Sequence, residues 1–467
     1  MEHTASGAAT AAGIGARLDR LPMSRHVWGL VALLSLGGFF EFYDLFMTAY
    51  ISPALTAEGI FGKDSGLFGL SDQATFAAAT FAGLFIGTIV FSQAADRFGR
   101  RLIFTWSLIW YTVSTVAMAC QNTADGLHLW RFISGIGLGV EMVTIDTYVT
   151  ELVAREVRGK ALAINQAIQF MAVPTVAIAC YLLTPLAPFG LEGWRWVMLA
   201  GAIGAVFVWF IRARVPESPR WLATHGRLAE ADRITRRIEQ KVEAETGPLV
   251  QPRAEPQPSS PLEGRGRFAE IFQPPYRRRT IMLAVFNFAQ TIGFYGFGNW
   301  VPSLLASQGV TVTKSLLWSF VIAFAYPIGP LIFSFIADRF ERKHQIIAAA
   351  IGTATFGLLF TTQRAAAALI LLGVLITLSN NLLSYAYHAY QAELFPTRIR
   401  ARAVGFVYSW SRVSTVLTSF MVAFFLESYG APGVFVFIAG AMLVVVGVIG
   451  GFGPRTAKRA LEEISGP

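Results

Sequence analysis

Charged residues are scarce in this chain: Asp, Glu, Lys and Arg make up 14% of its 467 residues, whereas a soluble domain carries about a quarter. The two cysteines, Cys120 and Cys180, and the six histidines lack the spacing of a disulfide framework or a metal site. There is no G-x-x-x-x-G-K-S/T phosphate loop and no G-x-S-x-G nucleophile motif. These absences argue against a soluble domain, a primary pump and a membrane enzyme. They also predict that the protein uses no cofactor and no metal.

Long apolar runs occupy most of the chain, in which 54% of the residues are hydrophobic and the mean hydropathy is +0.51. Each run is long enough to cross a bilayer core of about 30 Å, where a helix satisfies the backbone internally. The sequence therefore predicts an all-α membrane protein, a monomer surrounded by the lipid bilayer. Its twelve predicted spans cover residues 28–52, 73–95, 102–120, 128–150, 161–184, 193–213, 279–304, 314–336, 345–361, 366–391, 403–427 and 432–453.

The basic residues are distributed unequally between the two ends of these spans. Of the 38 lysines and arginines, 32 lie in alternate gaps that include both termini and the central loop, and four lie in the other gaps. The remaining two, Arg131 and Arg412, lie inside spans. Because basic loops stay in the cytoplasm, this bias predicts that both termini are cytoplasmic and that the chain resides in the inner (cytoplasmic) membrane. It also accounts for the net charge of +9 without a nucleic-acid partner.

Two motifs recur at one offset of 242 residues. The string ADRF stands at 95–98 and again at 337–340, and Glu-Leu followed by an arginine stands at 151–158 and again at 393–400. A shared offset predicts two six-helix halves in the same orientation. The predicted domains are an N-terminal tail (1–25), an N-terminal half (26–213), a cytoplasmic linker with a surface helix (214–278), a C-terminal half (279–453) and a C-terminal tail (454–467).

Several motifs resemble those of the major facilitator superfamily, and the resemblance covers essentially the whole chain. DRFGRR at 96–101 is similar to the core of its G-x-x-x-D-R-x-G-R-R loop, although Ser92 replaces the first glycine; in the second half, Ser334 and Glu341 replace both glycines. The glycine pattern at 131–139, PESPR at 216–220 and ELFP at 393–396 look like sugar-porter motifs. FFEFYD at 39–44 resembles proton symporters of phosphate and organic acids, and GFGNWVP at 296–302 resembles bacterial metabolite transporters.

The resemblance implies alternating access, in which the two halves rock about a central site that opens to one side at a time. The predicted function is secondary active transport, with proton-coupled symport of a small polar metabolite such as an organic acid or a sugar-like solute. The alternative is a passive facilitator of a sugar or polyol on the same fold. Acidic residues inside the spans favour the first, because a uniporter has no need of them.

Four ionisable residues inside spans are candidates for proton coupling. Asp44 and Arg131 are expected at similar depths, each about 6 Å from the outer edge of the bilayer core, so an ion pair between them is feasible. Sugar-porter resemblance points to the same pair, and the alternative is a static structural ion pair. Glu41 and Glu141 lie deeper, where each is a proton carrier or a side chain that snorkels or bonds to backbone.

Polar residues on four spans are candidates for binding the solute. Arg412 is expected near the midplane, where a guanidinium suits a carboxylate or phosphate; the alternative is a charge partner for Glu41 or Glu141. Amide and aromatic side chains suit a polyhydroxylated or aromatic solute, although singly each is more often a packing hydrogen bond. The other candidates are Gln166, Gln169, Asn287, Gln290, Tyr295, Asn299, Trp300, Asn380, Asn381, Tyr385 and His388.

Charged residues at the cytoplasmic ends of the spans are candidates for a gate. Asp96 is expected to bond across to the cytoplasmic end of the eleventh span and hold the inner side shut. Glu151 with Arg158, and Glu393 with Arg400, are expected to form gate or structural bonds to the loops that carry Asp96 and Asp338. The complete predicted set is Asp96, Arg97, Arg100, Arg101, Glu151, Arg158, Asp338, Arg339, Glu393 and Arg400.

Overall fold

The computed structural model describes residues 10–212, 215–252, 268–336 and 339–456, with the backbone alone at 91–96, 141–144, 205–212, 336, 397–398 and 401. Its α-helices are α1 (Ala11–Asp19), α2 (Arg25–Ala57), α3 (Asp72–Phe98), α4 (Arg100–Ala119), α5 (Ala124–Leu152), α6 (Arg158–Phe170), α7 (Ala172–Leu183), α8 (Gly193–Arg212), α9 (Pro219–Thr224), α10 (Leu228–Thr246), α11 (Tyr276–Gly298), α12 (Val301–Ser307), α13 (Val312–Ala323), α14 (Ala325–Ile336), α15 (Arg342–Thr362), α16 (Ala366–Glu393) and α17 (Thr397–Phe452).

Twelve membrane spans can be assigned within the part of the chain that the structure describes. Ten helical stretches are long and apolar enough to cross a bilayer, and one of them, Arg402–Phe452, is long enough for two spans. Helix α8 supplies a further span. Helices α2–α8 form one half of the bundle and α11–α17 the other. We call the side that carries α1, α9 and α10 the linker face, and the opposite side, which carries α12, the far face.

Three helix breaks, two inside predicted spans and one between the last two, coincide with prolines or glycine. Proline has no N–H to donate to the carbonyl four residues earlier, and its ring clashes with that carbonyl. Helix α6 therefore ends at Phe170, four residues before Pro174, and α13 ends at Ala323, four residues before Pro327. Within α17, Gly430 has φ of 66°, which separates the last two spans.

Helices α3 and α5 cross at van der Waals contact. A Cβ added at Gly135 would lie 2.5 Å from the Thr80 carbonyl oxygen, and one at Gly139 would lie 2.2 Å from that of Leu84. Both neighbours are backbone atoms, so they cannot move aside as a flexible side chain would. The two glycines therefore allow α3 and α5 to approach closely, and this approach brings side chains of α3 within hydrogen-bonding reach of α5.

The N-terminal tail contains a helix that the sequence analysis did not predict. In α1, Ile14 and Leu18 are buried against a cluster that includes Trp221 of α9 and Ile238 of α10. Arg17 also pairs with two carboxylates of α10, at 2.6 Å from Asp232 and 2.5 Å from Glu239, and Arg20 lies 2.6 Å from Glu239. These contacts attach the tail to the linker helices.

Candidate functional site

A small cavity of about 120 Å³ lies between the two halves of the bundle. Both halves supply polar and aromatic side chains to it, including the carboxylate of Glu41 on α2 and the guanidinium of Arg412 on α17. We call it the central cavity. It is lined by Glu41, Phe42, Asp146, Gln166, Gln169, Phe170, Gln290, Thr291, Phe294, Tyr295, Ser384, Tyr387, His388, Tyr408, Ser411 and Arg412.

A second cavity of about 350 Å³ continues from the first toward the linker face. We call it the vestibule. Its walls include the starts of α6 and α15 and the end of α16, all of which lie at the linker face. Three residues line both cavities: Asp146, Gln166 and His388. They form the throat through which the central cavity meets the vestibule, so the structure is open toward the linker face.

The far face is closed by contacts between the halves. Gln73 Nε2 donates to Ser303 Oγ at 2.8 Å, which joins the start of α3 to α12. Aromatic rings close the space beneath: the ring centroids of Phe46 and Tyr326 are 5.3 Å apart, and those of Phe81 and Tyr295 are 4.7 Å apart. These contacts separate the central cavity from the far side.

Asp44 and Arg131 form a buried ion pair inside the N-terminal half. Arg131 Nη1 lies 2.7 Å from Asp44 Oδ2, and their side chains are 0% and 3% exposed. Arg131 Nη2 donates to the Asp44 carbonyl oxygen at 2.6 Å and Nε to Thr80 Oγ1 at 2.8 Å. Thr115 and Ser134 hydroxyls donate to the two carboxylate oxygens at 3.1 and 3.2 Å. The pair is thus fully hydrogen-bonded and shielded from water, a short distance along α2 from Glu41.

Arg412 and Glu41 face the central cavity and are themselves nearly inaccessible, at 6% and 1% exposure. Arg412 Nη2 donates to Tyr408 Oη at 3.2 Å, and its guanidinium carbon lies 5.0 Å from the centroid of the same ring. A guanidinium held against an aromatic wall offers a planar set of donors to a solute oxygen. The cavity can therefore hold a small molecule with an anionic end.

The predicted solute-binding residues divide into two groups by position. Gln166, Gln169, Gln290, Tyr295, His388 and Arg412 line the central cavity, and Tyr385 lines the vestibule. The others serve helix packing. Asn287 donates to the Leu283 carbonyl at 2.9 Å, and Asn380 donates to the Gly293 carbonyl at 3.2 Å.

Asn381, Asn299 and Trp300 also lie outside both cavities. The Asn381 amide donates to the carbonyl oxygen of Ala325 at 3.0 Å, which ties α16 to α14. Asn299 caps α11, and Trp300, 2% exposed, belongs to the apolar core of the C-terminal half. These side chains are of the types expected in a binding site, but they point into the interfaces between helices rather than into a cavity.

Two predicted gate residues, Glu151 and Glu393, form equivalent bonds at the linker face, the second with Arg342, which was not predicted. Arg100 Nη2 lies 3.2 Å from Glu151 Oε1, and at the offset of 242 Arg342 pairs with Glu393. Each bond joins the start of one helix to the end of another helix of the same half. Glu217 of the PESPR string accepts from the backbone N–H groups of Arg100 and Arg101 at 3.1 and 3.2 Å, which caps α4.

The remaining gate residues have other partners. Arg158 lies 3.5 Å from Asp19 of the tail, Arg400 donates to the Phe395 carbonyl at 3.1 Å, and Arg97 lies over the Phe98 ring. Arg339 is exposed. The side chains of Asp96 and Glu141, and all of Asp338, lie outside the described residues.

Sequence reasoning missed Asp146 as a cavity residue, because its position near the end of the predicted span 128–150 indicates a residue away from a central site. It also missed most of the aromatic lining, since Phe and Tyr at helical spacing look like ordinary core residues. The missed rings are Phe42, Phe170, Phe294, Tyr387 and Tyr408. The signal that was available for Asp146 was a carboxylate within an apolar span, with no basic residue within seven positions on either side.

Two repeated six-helix halves around a central polar cavity define a membrane transporter of the major facilitator fold. The model of the family described as "Sugar (and other) transporter" matches residues 30–466, and the chain belongs to this family. It is 33% identical over 446 residues to YyaJ of Bacillus subtilis (strain 168), which is named for metabolite transport; the match covers 95% of this chain and 96% of that one. It is 27% identical over 452 residues to the niacin transporter NiaP of Acinetobacter baylyi, covering 96% and 98%.

A solved structure confirms the predicted fold. The xylose transporter XylE from E. coli, in a partially occluded inward open conformation, superposes with a TM-score of 0.73 at 19% identity, covering 94% of this chain and 100% of that one. The prediction of an all-α protein with twelve membrane spans in the major facilitator fold is thereby confirmed. So is its assignment as an integral membrane transporter of small solutes rather than an enzyme.

Proposed function

We propose that the protein is a proton-coupled symporter of a small organic anion, a carboxylate on a single ring, and that it acts as a monomer in the inner membrane. The linker face and both termini are proposed to be cytoplasmic, on the distribution of basic residues given above. The observation that carries the coupling proposal is the Asp44–Arg131 ion pair, buried and fully hydrogen-bonded beside the transport route.

The buried pair supports coupling for a physical reason. A carboxylate held against a guanidinium stays ionised, whereas the same carboxyl group, buried without that partner, takes up a proton. The structure, open to the linker face, has the pair formed. In the opposite state, separation of α2 from α5 would leave Asp44 protonated, and re-formation of the pair would release the proton toward the linker face.

The cavity supports the proposed solute class. It combines Arg412 with six aromatic rings, and a buried guanidinium discriminates strongly in favour of a carboxylate. Flat rings on the walls suit a ring in the solute. The similarity to NiaP, named as a niacin transporter, points to the same chemistry, because niacin is a carboxylate on one aromatic ring. Glu41 and Asp146 would then face the end of the solute that is not anionic.

The test uses purified protein in liposomes with a pH gradient and nicotinate as the probe. The parent should accumulate nicotinate when the outside is acidic. Asp44→Asn fixes the neutral state, so it should lose proton-driven accumulation but keep exchange of labelled for unlabelled nicotinate. Asp125→Asn, at an exposed aspartate of α5, is the matched control. Accumulation by Asp44→Asn combined with its loss in Glu41→Gln or Glu141→Gln would move the proton site to that glutamate. Transport that no pH gradient drives in the parent would identify a passive facilitator instead.

The solute class has a separate test in Arg412→Lys. A lysine keeps the charge but cannot offer two parallel donors, so the dissociation constant for nicotinate should rise about tenfold or more. Binding to detergent-purified protein is measured by thermal shift, with Arg364→Lys at an exposed loop as control. Equal affinity of the parent and the Arg412→Lys variant, or tighter binding of xylose than of nicotinate, would contradict the proposed anion site.

A further inference from the structure

The offset of 242 residues that relates the two halves also relates Asp146 to His388. Asp146 lies on α5 and His388 on α16, which are the equivalent spans of the two halves. The pairs Arg100–Glu151 and Arg342–Glu393 show that this offset places equivalent residues in equivalent contacts. An acid and a base therefore occupy one position of the repeat, in opposite halves.

Both residues lie in the throat between the central cavity and the vestibule. Residues related by a two-fold axis and close to it face each other across it. When the linker face closes, α5 and α16 move toward this axis, so the side chains most exposed to the throat meet first. Gln166, the third throat residue, lies on α6 beside Asp146. The residue at the equivalent position of the C-terminal half does not line the throat.

Each side chain is held by hydrogen bonds within its own half. Asp146 Oδ1 accepts from Asn165 Nδ2 at 2.9 Å, and no cationic partner of Asp146 occurs among the described residues. His388 Nδ1 lies 2.7 Å from the Ser384 carbonyl oxygen, which can only accept, so Nδ1 carries a proton. His388 Nε2 lies 3.2 Å from Tyr387 Oη and accepts from it.

We propose that Asp146 and His388 form the latch that closes the throat when the transporter shuts toward the linker face. Asp146 Oδ2 and His388 Nε2 are both acceptors as the structure stands, so the contact requires one proton between them, taken from vestibule water. Because the throat opens only to the linker face, this proton returns to the same side when the latch opens. No net proton movement results, and the latch is distinct from coupling at Asp44. The other titratable groups around it are Glu41, Tyr295, Arg342, Tyr385, Tyr387, Tyr408 and Arg412.

Cross-linking tests the geometry of the latch. In a Cys120→Ser background, Asp146→Cys is combined with His388→Cys and treated with bis-methanethiosulfonates of one or six carbons. The native Cys180 is fully buried and does not compete. The one-carbon reagent should bridge the two cysteines, seen as a single added bridge by intact mass, and single-cysteine variants should not be bridged. Bridging by the six-carbon reagent alone would overturn the proposal.

Labelling at the far face tests the chemistry, independently of the solute and of proton coupling. Ala74 of α3 is fully buried in the apolar core of the C-terminal half, so Ala74→Cys reacts with a maleimide only when the far face opens. Asp146→Ala or His388→Ala removes one partner without supplying a new donor, so each should slow this labelling about tenfold, which corresponds to about 1.4 kcal/mol. The exchange Asp146→His with His388→Asp should restore it to within about twofold, and Asp125→Asn should leave it unchanged.

The outcomes separate a latch from two independent roles. The proposal would be overturned if the single variants at Asp146 or His388 labelled at Ala74→Cys as fast as the parent. It would also be overturned if the exchanged pair labelled as slowly as the single variants. Neither result would bear on the Asp44→Asn accumulation test, which reads a different site and a different quantity.

Discussion

Gly135→Ala is the substitution whose consequences the structure defines most closely. The new Cβ would lie 2.5 Å from the Thr80 carbonyl oxygen, and ordinary contact begins at 3.4 Å, so α3 and α5 must separate by about 0.9 Å. The bond from Arg131 Nε to Thr80 Oγ1 would then lengthen from 2.8 Å to about 3.7 Å, beyond hydrogen-bonding range. One methyl group would thus loosen the Asp44–Arg131 pair.

The expected net effect is a loss of about 2 kcal/mol of stability. Overpacking costs about 1–3 kcal/mol and the lost bond to a charged group about 1.5–3 kcal/mol, against about 1 kcal/mol gained from alanine's helix propensity. These contributions overlap, because one separation relieves the clash and breaks the bond. Thermal unfolding of purified protein, followed by tryptophan fluorescence, should show a midpoint lower by several degrees.

Gly440→Ala is the matched control, because no atom lies within 4 Å of a Cβ added at Gly440 in α17. It should be neutral or stabilising by up to about 1 kcal/mol. If Gly135→Ala unfolded at the same temperature as Gly440→Ala, the crossing would be more compliant than its backbone contacts indicate. The reasoning about close packing would then be refuted.

Two further predictions concern the linker face. The hydrogen bond from Arg17 lowers the pKa of Asp232. Burial raises the pKa of Glu239, but the hydrogen bonds from Arg17 and Arg20 outweigh it, so the net pKa is lowered. Docking of α1 should therefore persist above the ordinary pKa values of these carboxyl groups and be lost as the pH falls below about 4. Hydrogen exchange at 11–19, corrected for the intrinsic rate, should rise there, and unchanged protection at pH 3 would contradict this account. For orientation, with Cys120 replaced by serine, an impermeant maleimide added to intact cells should label Lys63→Cys and spare Glu243→Cys; the opposite pattern would reverse the assignment.

The fold was predictable because its signals are long and redundant. Apolar runs of about 20 residues, the unequal distribution of basic residues and the repeat at 242 all lead to the same architecture. The helix α1 was not predictable, because its stability comes from partners more than 200 residues away. Arg17 and Glu239 are 222 positions apart, and no pattern within the tail sequence indicates that they are in contact.

The candidate site was predictable in type but less so in detail. Asn287 and Gln290 stand three residues apart on α11, yet only Gln290 reaches the central cavity, while the Asn287 amide bonds to its own helix. Sequence shows which residues are polar within a span, but the direction of each face depends on how neighbouring helices pack. Arg412 and Asp44 were easier to assign, because a charge within an apolar span has few places to be stable.

The distribution of ion pairs bears on how easily the transporter changes state. The ion pairs given above each lie within one half or join the linker and tail to each other or to the N-terminal half. Apart from Asp44–Arg131, whose separation is the proposed coupling step, these pairs stay intact when the halves rotate. The contacts between the halves that must break lie at the far face, where a hydroxyl–amide contact such as Ser303–Gln73 is readily replaced by water. The barrier to rotation of the halves is then set by a few weak contacts and the unstacking of rings, which suits a carrier whose two states must interconvert repeatedly.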